Sequence, residues 1–61
     1  MFYMAHETIL QTIRKTHPTT VREIAEKVGL SSTTVWYHLE TLKDEGLVTW
    51  EKGKARTIRP V

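Results

Sequence analysis

The chain has 61 residues, a net charge of +2 and no cysteine, which points to one domain (residues 1–61) without a disulfide framework or a thiolate metal site. A chain this short buries roughly 60% of its unfolded surface, leaving little core from which to build a substrate pocket as well. No apolar run approaches the ~20 residues needed to span a bilayer, and the apolar start at Met1 to Met4 lacks the basic flank and length of a signal peptide. A soluble, cytoplasmic protein is expected.

The first predicted element is a helix over residues 5–15, where Ile9, Leu10 and Ile13 form an apolar stripe. Phe2, Tyr3 and Met4 are expected to extend that face or to pack beneath the sheet. His17-Pro18 ends the helix, because the residue before a proline is pushed out of the α region. Thr19 and Thr20 then read as extended, able to add a short third strand. Thr20 and Glu23 have the spacing of a capping box, opening a second helix whose apolar face is Val21, Ile24, Ala25 and Val28. Gly29 supplies its left-handed end and Leu30 covers it.

Ser31 or Ser32 caps a third helix that runs to Gly46, with Val35, Leu39 and Leu42 as its core stripe. Leu47 and Val48 fold back onto that stripe. Residues 47–50 and 55–59 read as two strands joined around Lys52-Gly53-Lys54. Helix, tight turn, helix and β-ribbon is the order of a winged helix-turn-helix. The expected fold class is α+β, with three helices and a two- or three-stranded antiparallel β-wing.

Charge and the outward face of the third helix suggest what such a fold would do. Residues 1–51 hold five basic and seven acidic side chains, whereas residues 52–61 hold Lys52, Lys54, Arg56 and Arg59 with no acid. So abrupt a change suggests an end that faces a polyanion, although a solvated basic tail gives the same composition. Stepping 100° per residue from Val35, the opposite side of the helix is centred on Thr33, Tyr37, Glu40 and Asp44, with Trp36 on the flank. Ser31, Ser32, Thr33 and Thr34 present hydroxyls beside the positive helix end, where phosphate or base-edge contacts are favoured. Half-burial of Trp36 and Tyr37 against the first helix or the wing is the plainer alternative.

The run from Thr20 to Ser32, TVREIAEKVGLSS, resembles the helix-turn-helix of LexA-type repressors. Val35, His38-Leu39, Leu42, Lys43 and Gly46 continue the resemblance, and Gly53-Lys54-Ala55-Arg56 with Ile58 is similar to that family's wing and closing strand. About two-thirds of the chain is covered, in order. A bare helix-turn-helix pattern is less specific, since MarR-like and ArsR-like regulators share the Val-x-x-His-Leu and Gly-Leu-Val spacing. The resemblance implies Ser32, Thr33, Thr34, Trp36 and Tyr37 as readers of operator bases in the major groove. It implies Lys52, Lys54 and Arg56 as wing contacts to the backbone. The turn before Val35 is one residue shorter than is usual, and Trp36 and Tyr37 replace polar or charged residues, so no operator sequence transfers. The family's self-cleaving, dimerising domain with its Ser-Lys dyad does not follow Val61 in this sequence.

Other chemistries have little support. His6, His17 and His38 fall in separate elements, without the ligand spacing of a metal site. His38 suits a hydrogen bond at the third-helix interface or a phosphate contact. Ser31 and Ser32 have no nearby base and orienting group, so capping explains them. Gly53 is a turn glycine, not a phosphate loop. No enzyme, cofactor or small-molecule ligand is expected. The sequence predicts a sequence-specific regulator of transcription that binds double-stranded DNA, most simply a repressor. It would be nucleoid-associated and would pair weakly or only on DNA. The alternatives are a protein-docking winged helix anchored by Trp36, Tyr37 and Trp50, and the excised DNA-binding part of a longer repressor.

Overall fold

The computed structural model describes residues 2–61, with side chains from Ala5 onward; the expected packing of Phe2, Tyr3 and Met4 lies outside those described side chains. Helix α1 spans Phe2–Lys15, α2 Val21–Val28 and α3 Ser32–Asp44, followed by strands β1 Val48–Thr49 and β2 Arg59–Pro60. The strands pair antiparallel, Val48 opposite Pro60 and Thr49 opposite Arg59.

The apolar stripes read from the periodicity converge on one core. Ile9, Ile13, Ile24, Val35, Leu39 and Leu42 are wholly buried, joined by Leu10, Val48 and Ile58. Val21, Val28, Leu30 and Trp50 pack partly buried around its edge. Each helix therefore places one face in the core, and the opposite face of α3 stays in solvent.

The helix ends follow local chemistry. The Thr20 hydroxyl accepts the Glu23 N–H, and Gly29 takes a left-handed φ of 73°. Leu30 N–H then reaches back to the Ala25 carbonyl at 3.1 Å, satisfying an end carbonyl that lacks a helical partner. Ser31, rather than Ser32, caps α3 by accepting the Thr34 N–H. Gly46, at φ 77°, turns the chain so that Leu47 N–H meets the Leu42 carbonyl at 3.0 Å.

Four expectations need correction. The capping box at α2 is one-sided: the Glu23 carboxylate accepts from the Thr19 hydroxyl at 2.6 Å and meets Arg56 at 3.5 Å. The buried Thr19 hydroxyl requires a partner, and the carboxylate supplies it. The strands are shorter than the expected 47–50 and 55–59. A turn brings Lys54 N–H to the Glu51 carbonyl at 3.2 Å, and Arg56 adopts a left-handed φ of 55°, so the two arms leave ladder register. Thr19 forms a single bridge with Ile58 in place of a third strand, because Thr20 is already committed to capping α2. Leu47 is 36% exposed, whereas Val48 is buried, as the alternation of side chains along extended backbone requires.

Candidate nucleic-acid interface

The solvent face of α3 begins at its cap. The Ser31 hydroxyl lies 3.2 Å from Thr34 N and 3.0 Å from the Thr34 hydroxyl, so these two groups first satisfy each other. Ser32 and Thr33 are exposed in the same turn, next to the backbone N–H groups that a helix start leaves unpaired. Tyr37 follows one turn on and is 75% exposed, its ring edge-on to His38 at 6.1 Å. Trp36, 41% exposed, instead leans on the wing: its ring meets Trp50 edge to face at 5.4 Å. The plainer alternative thus describes Trp36 in part and Tyr37 not at all.

The wing runs from Trp50 to Thr57. Its tip is held in part by Thr57, whose hydroxyl accepts the Glu51 N–H at 3.0 Å and donates within reach of the Lys54 carbonyl at 3.1 Å. Lys52, Lys54 and Arg56 are all exposed there. Lys54 stands 3.8 Å from Glu51, and Arg56 reaches across to Glu23 on α2. Arg59 donates to the Thr57 carbonyl at 2.9 Å. The Thr19 hydroxyl, with Arg56 and Lys27 adding to it, holds the Glu23 carboxyl below its ordinary range against an opposing cost of desolvation. A charged Glu23 therefore ties the start of α2 to the wing.

Three interactions escaped the sequence reading. Lys43 sits over the Trp50 ring at 4.3 Å, a cation–π contact joining the end of α3 to the wing. Arg22 stands with Lys54 and Arg56 on the lining of a cleft beside Trp36; its place two residues inside the Thr20 cap was the available signal. His6 and His38 form the third, their Nδ1 atoms 3.2 Å apart, with His6 Nε2 3.2 Å from Glu45. The sequence leaves His38 between an interface hydrogen bond and a phosphate contact, without showing its partner. Burial, then the neighbouring His6, pushes the His38 pKa down. Among the described residues no group of His, Cys, Asp and Glu is placed to hold a metal ion. No helix among them is long and apolar enough to cross a membrane.

An exposed hydroxyl-bearing helix start beside a basic ribbon has the chemistry that helix-turn-helix recognition of DNA calls for. The family model described as winged helix-turn-helix DNA-binding matches residues 6–49, and the chain belongs to that family, which is defined by DNA binding and not by catalysis. Among curated relatives, the LexA repressor of Clostridium botulinum (strain Hall) is 47% identical over 53 residues, covering 85% of this chain and 26% of the relative. The LexA repressor of Clostridium novyi (strain NT) is 49% identical over 49 residues, covering 79% and 24%. That of Exiguobacterium sp. (strain ATCC BAA-1283 / AT1b) is 51% identical over 45 residues, covering 72% and 22%. The resemblance read from the sequence is thus shown, and the chain spans about a quarter of the length of these relatives.

Proposed function

We propose that this chain is a sequence-specific DNA-binding regulator of transcription, acting as a repressor by occluding promoter DNA. The start of α3 enters the major groove. Ser31, Ser32, Thr33 and Thr34 meet phosphate and base edges there, Tyr37 reads a base, and Trp36 lines the flank nearer the wing. Lys52, Lys54 and Arg56 rest on the DNA backbone. The observation that carries this reading is the exposure of Tyr37, one turn beyond the hydroxyl-bearing cap and on the side of α3 opposite the core. Residues 1–61 act as one DNA-binding unit, in the compartment that holds the chromosome. One recognition helix reads few base pairs, so two copies pair weakly or only on a two-fold site.

Selection from randomised duplexes followed by sequencing tests this reading; a recovered motif is expected, and an unenriched pool would overturn it. The wing is tested separately by salt. Lys52→Ala with Lys54→Ala is expected to weaken all duplexes alike and to lower the slope of log K against log salt by about 0.9 for each phosphate no longer neutralised. An unchanged slope would remove the wing from the interface. A protein-docking winged helix would show neither effect. Trp50 is half-buried against the core rather than projecting as an anchor, which weighs against that alternative.

A further inference from the structure

The wing and the two helices of the motif enclose a cleft of about 320 Å³, within the ~300–1,000 Å³ typical of small-molecule sites. Its walls include Val21, Trp36, Trp50 and Ile58. Three cations, Arg22, Lys54 and Arg56, stand on the same lining, and no acidic side chain does. Glu23 lies beyond Arg56 at 3.5 Å and Glu51 beside Lys54 at 3.8 Å, with both cations largely exposed. Exposed pairs of this kind contribute little, so either cation can turn to another anion at small cost. Arg22 has no ion-pair partner among the described residues.

The lining selects its occupant from two sides. A purely polar anion would leave the indole and aliphatic walls unfilled, and a neutral hydrocarbon would fill them while making no charge-assisted hydrogen bond to the three exposed cations. We propose that this cleft is a binding site for a planar aromatic anion of small-molecule size. Its ring lies against Trp36 and Trp50, and its carboxylate or sulfonate accepts from the Arg22 guanidinium, with Lys54 or Arg56 as the second donor. A guanidinium offers such a group two parallel N–H bonds, and the indole walls supply offset or edge-to-face ring contacts.

One consequence rests on the DNA reading above. Trp36, Lys54 and Arg56 belong both to this cleft and to the proposed DNA face. An occupant and a duplex would therefore exclude each other, and the DNA affinity would fall by the factor 1 + [L]/Kd. The cleft would give the regulator a small-molecule input.

The test titrates 2-naphthoate into the full chain without DNA, following the indole N–H signals of its two tryptophans by NMR. 2-Naphthalenemethanol serves as the neutral isostere and inorganic phosphate as the anion without a ring. Both indole signals are expected to shift saturably with 2-naphthoate. The alcohol is expected to bind about three- to fivefold more weakly, the scale of an ion pair at an exposed site. Arg22→Gln, at an exposed site, should reduce 2-naphthoate binding by a similar factor and leave the alcohol unchanged. Absence of saturation, equal binding of the alcohol, matching shifts with phosphate, or indifference to Arg22→Gln would each overturn the proposal. Duplex affinity measured on the same preparation reports on the DNA reading independently, so the two can fail separately.

Discussion

Helix α3 and the wing lie side by side on the proposed DNA face, yet they are held by different kinds of interaction. Val35, Leu39 and Leu42 of α3 are wholly buried, and its backbone hydrogen bonds are made within the helix itself. Its outward residues are thus positioned by groups on the far side of the same cylinder. The wing has two-residue strands, and its tip depends on the Thr57 hydroxyl, the Arg56–Glu23 pair and Lys43 over Trp50. All of these are accessible to water. Rigid presentation suits side chains that read base edges, where small displacements break hydrogen bonds. A loosely tethered ribbon suits phosphate contacts, which tolerate adjustment. The wing is therefore expected to open locally well before α3 does.

The widest separation between the two regions should come from Leu39→Ala. Truncating a fully buried leucine costs ~2–5 kcal/mol, enough to unfold much of so small a chain. Urea denaturation followed by circular dichroism measures it. A loss no larger than that of a surface mutant would mean that α3 is not the anchor described here.

Next in size is Tyr37→Ala, which separates reading from folding. On the preferred duplex it should cost ~1–3 kcal/mol and relax one base position, while the fold loses under ~0.5 kcal/mol because the ring is exposed. Intact DNA affinity would take Tyr37 out of the interface, leaving Thr33 and Trp36 as the readers to test.

Thr57→Val addresses the wing alone. It removes the hydroxyl that serves Glu51 and Lys54 while keeping the side-chain volume, for about 1 kcal/mol of stability. Hydrogen exchange should show faster opening confined to the wing, with the amides of α3 unchanged. Equal acceleration in both regions would show that the wing and helix open as one unit.

The same contrast explains what could be read from the sequence. The Thr20 and Ser31 caps, the turn at Gly29 and the stripe of Val35, Leu39 and Leu42 are local patterns, and each sits where its spacing implied. Lys52 and Gly53 likewise fall at the turn. The wing's tethers are not local. Arg56 finds Glu23 across 33 positions, Trp36 meets Trp50 from another element, and His6 meets His38 across 32. Short-range periodicity carries no trace of such pairings, so Glu23 reads only as a cap partner, and contact of Trp36 with the wing reads only as an alternative without a named partner. The cleft was invisible for the same reason, since its walls come from both helices of the motif and from the wing.

The smallest expected effect lies midway along α3, on its packed side, where His38 meets His6. A neutral pair has a consistent proton arrangement: His6 donates from Nε2 to Glu45 and accepts at Nδ1 from His38 Nδ1–H. A positive charge on His38 would be carried by a buried ring whose Nδ1 lies 3.2 Å from that of His6. Burial and the adjacent His6 therefore hold the His38 pKa below its unfolded value. The direction of the stability change follows from that depression. Below about pH 6.5 the unfolded chain begins to take up a proton that folded His38 resists, so stability falls with pH until the folded pKa is passed. Above that window His38 is neutral in both states and contributes no slope. His38→Gln keeps a side chain that can both donate and accept but does not titrate. Between about pH 7.5 and 5.5 the urea midpoint of the parent chain should therefore fall more than that of the variant. Parallel declines would assign the pH dependence to other groups and leave the His6–His38 contact without a role in it.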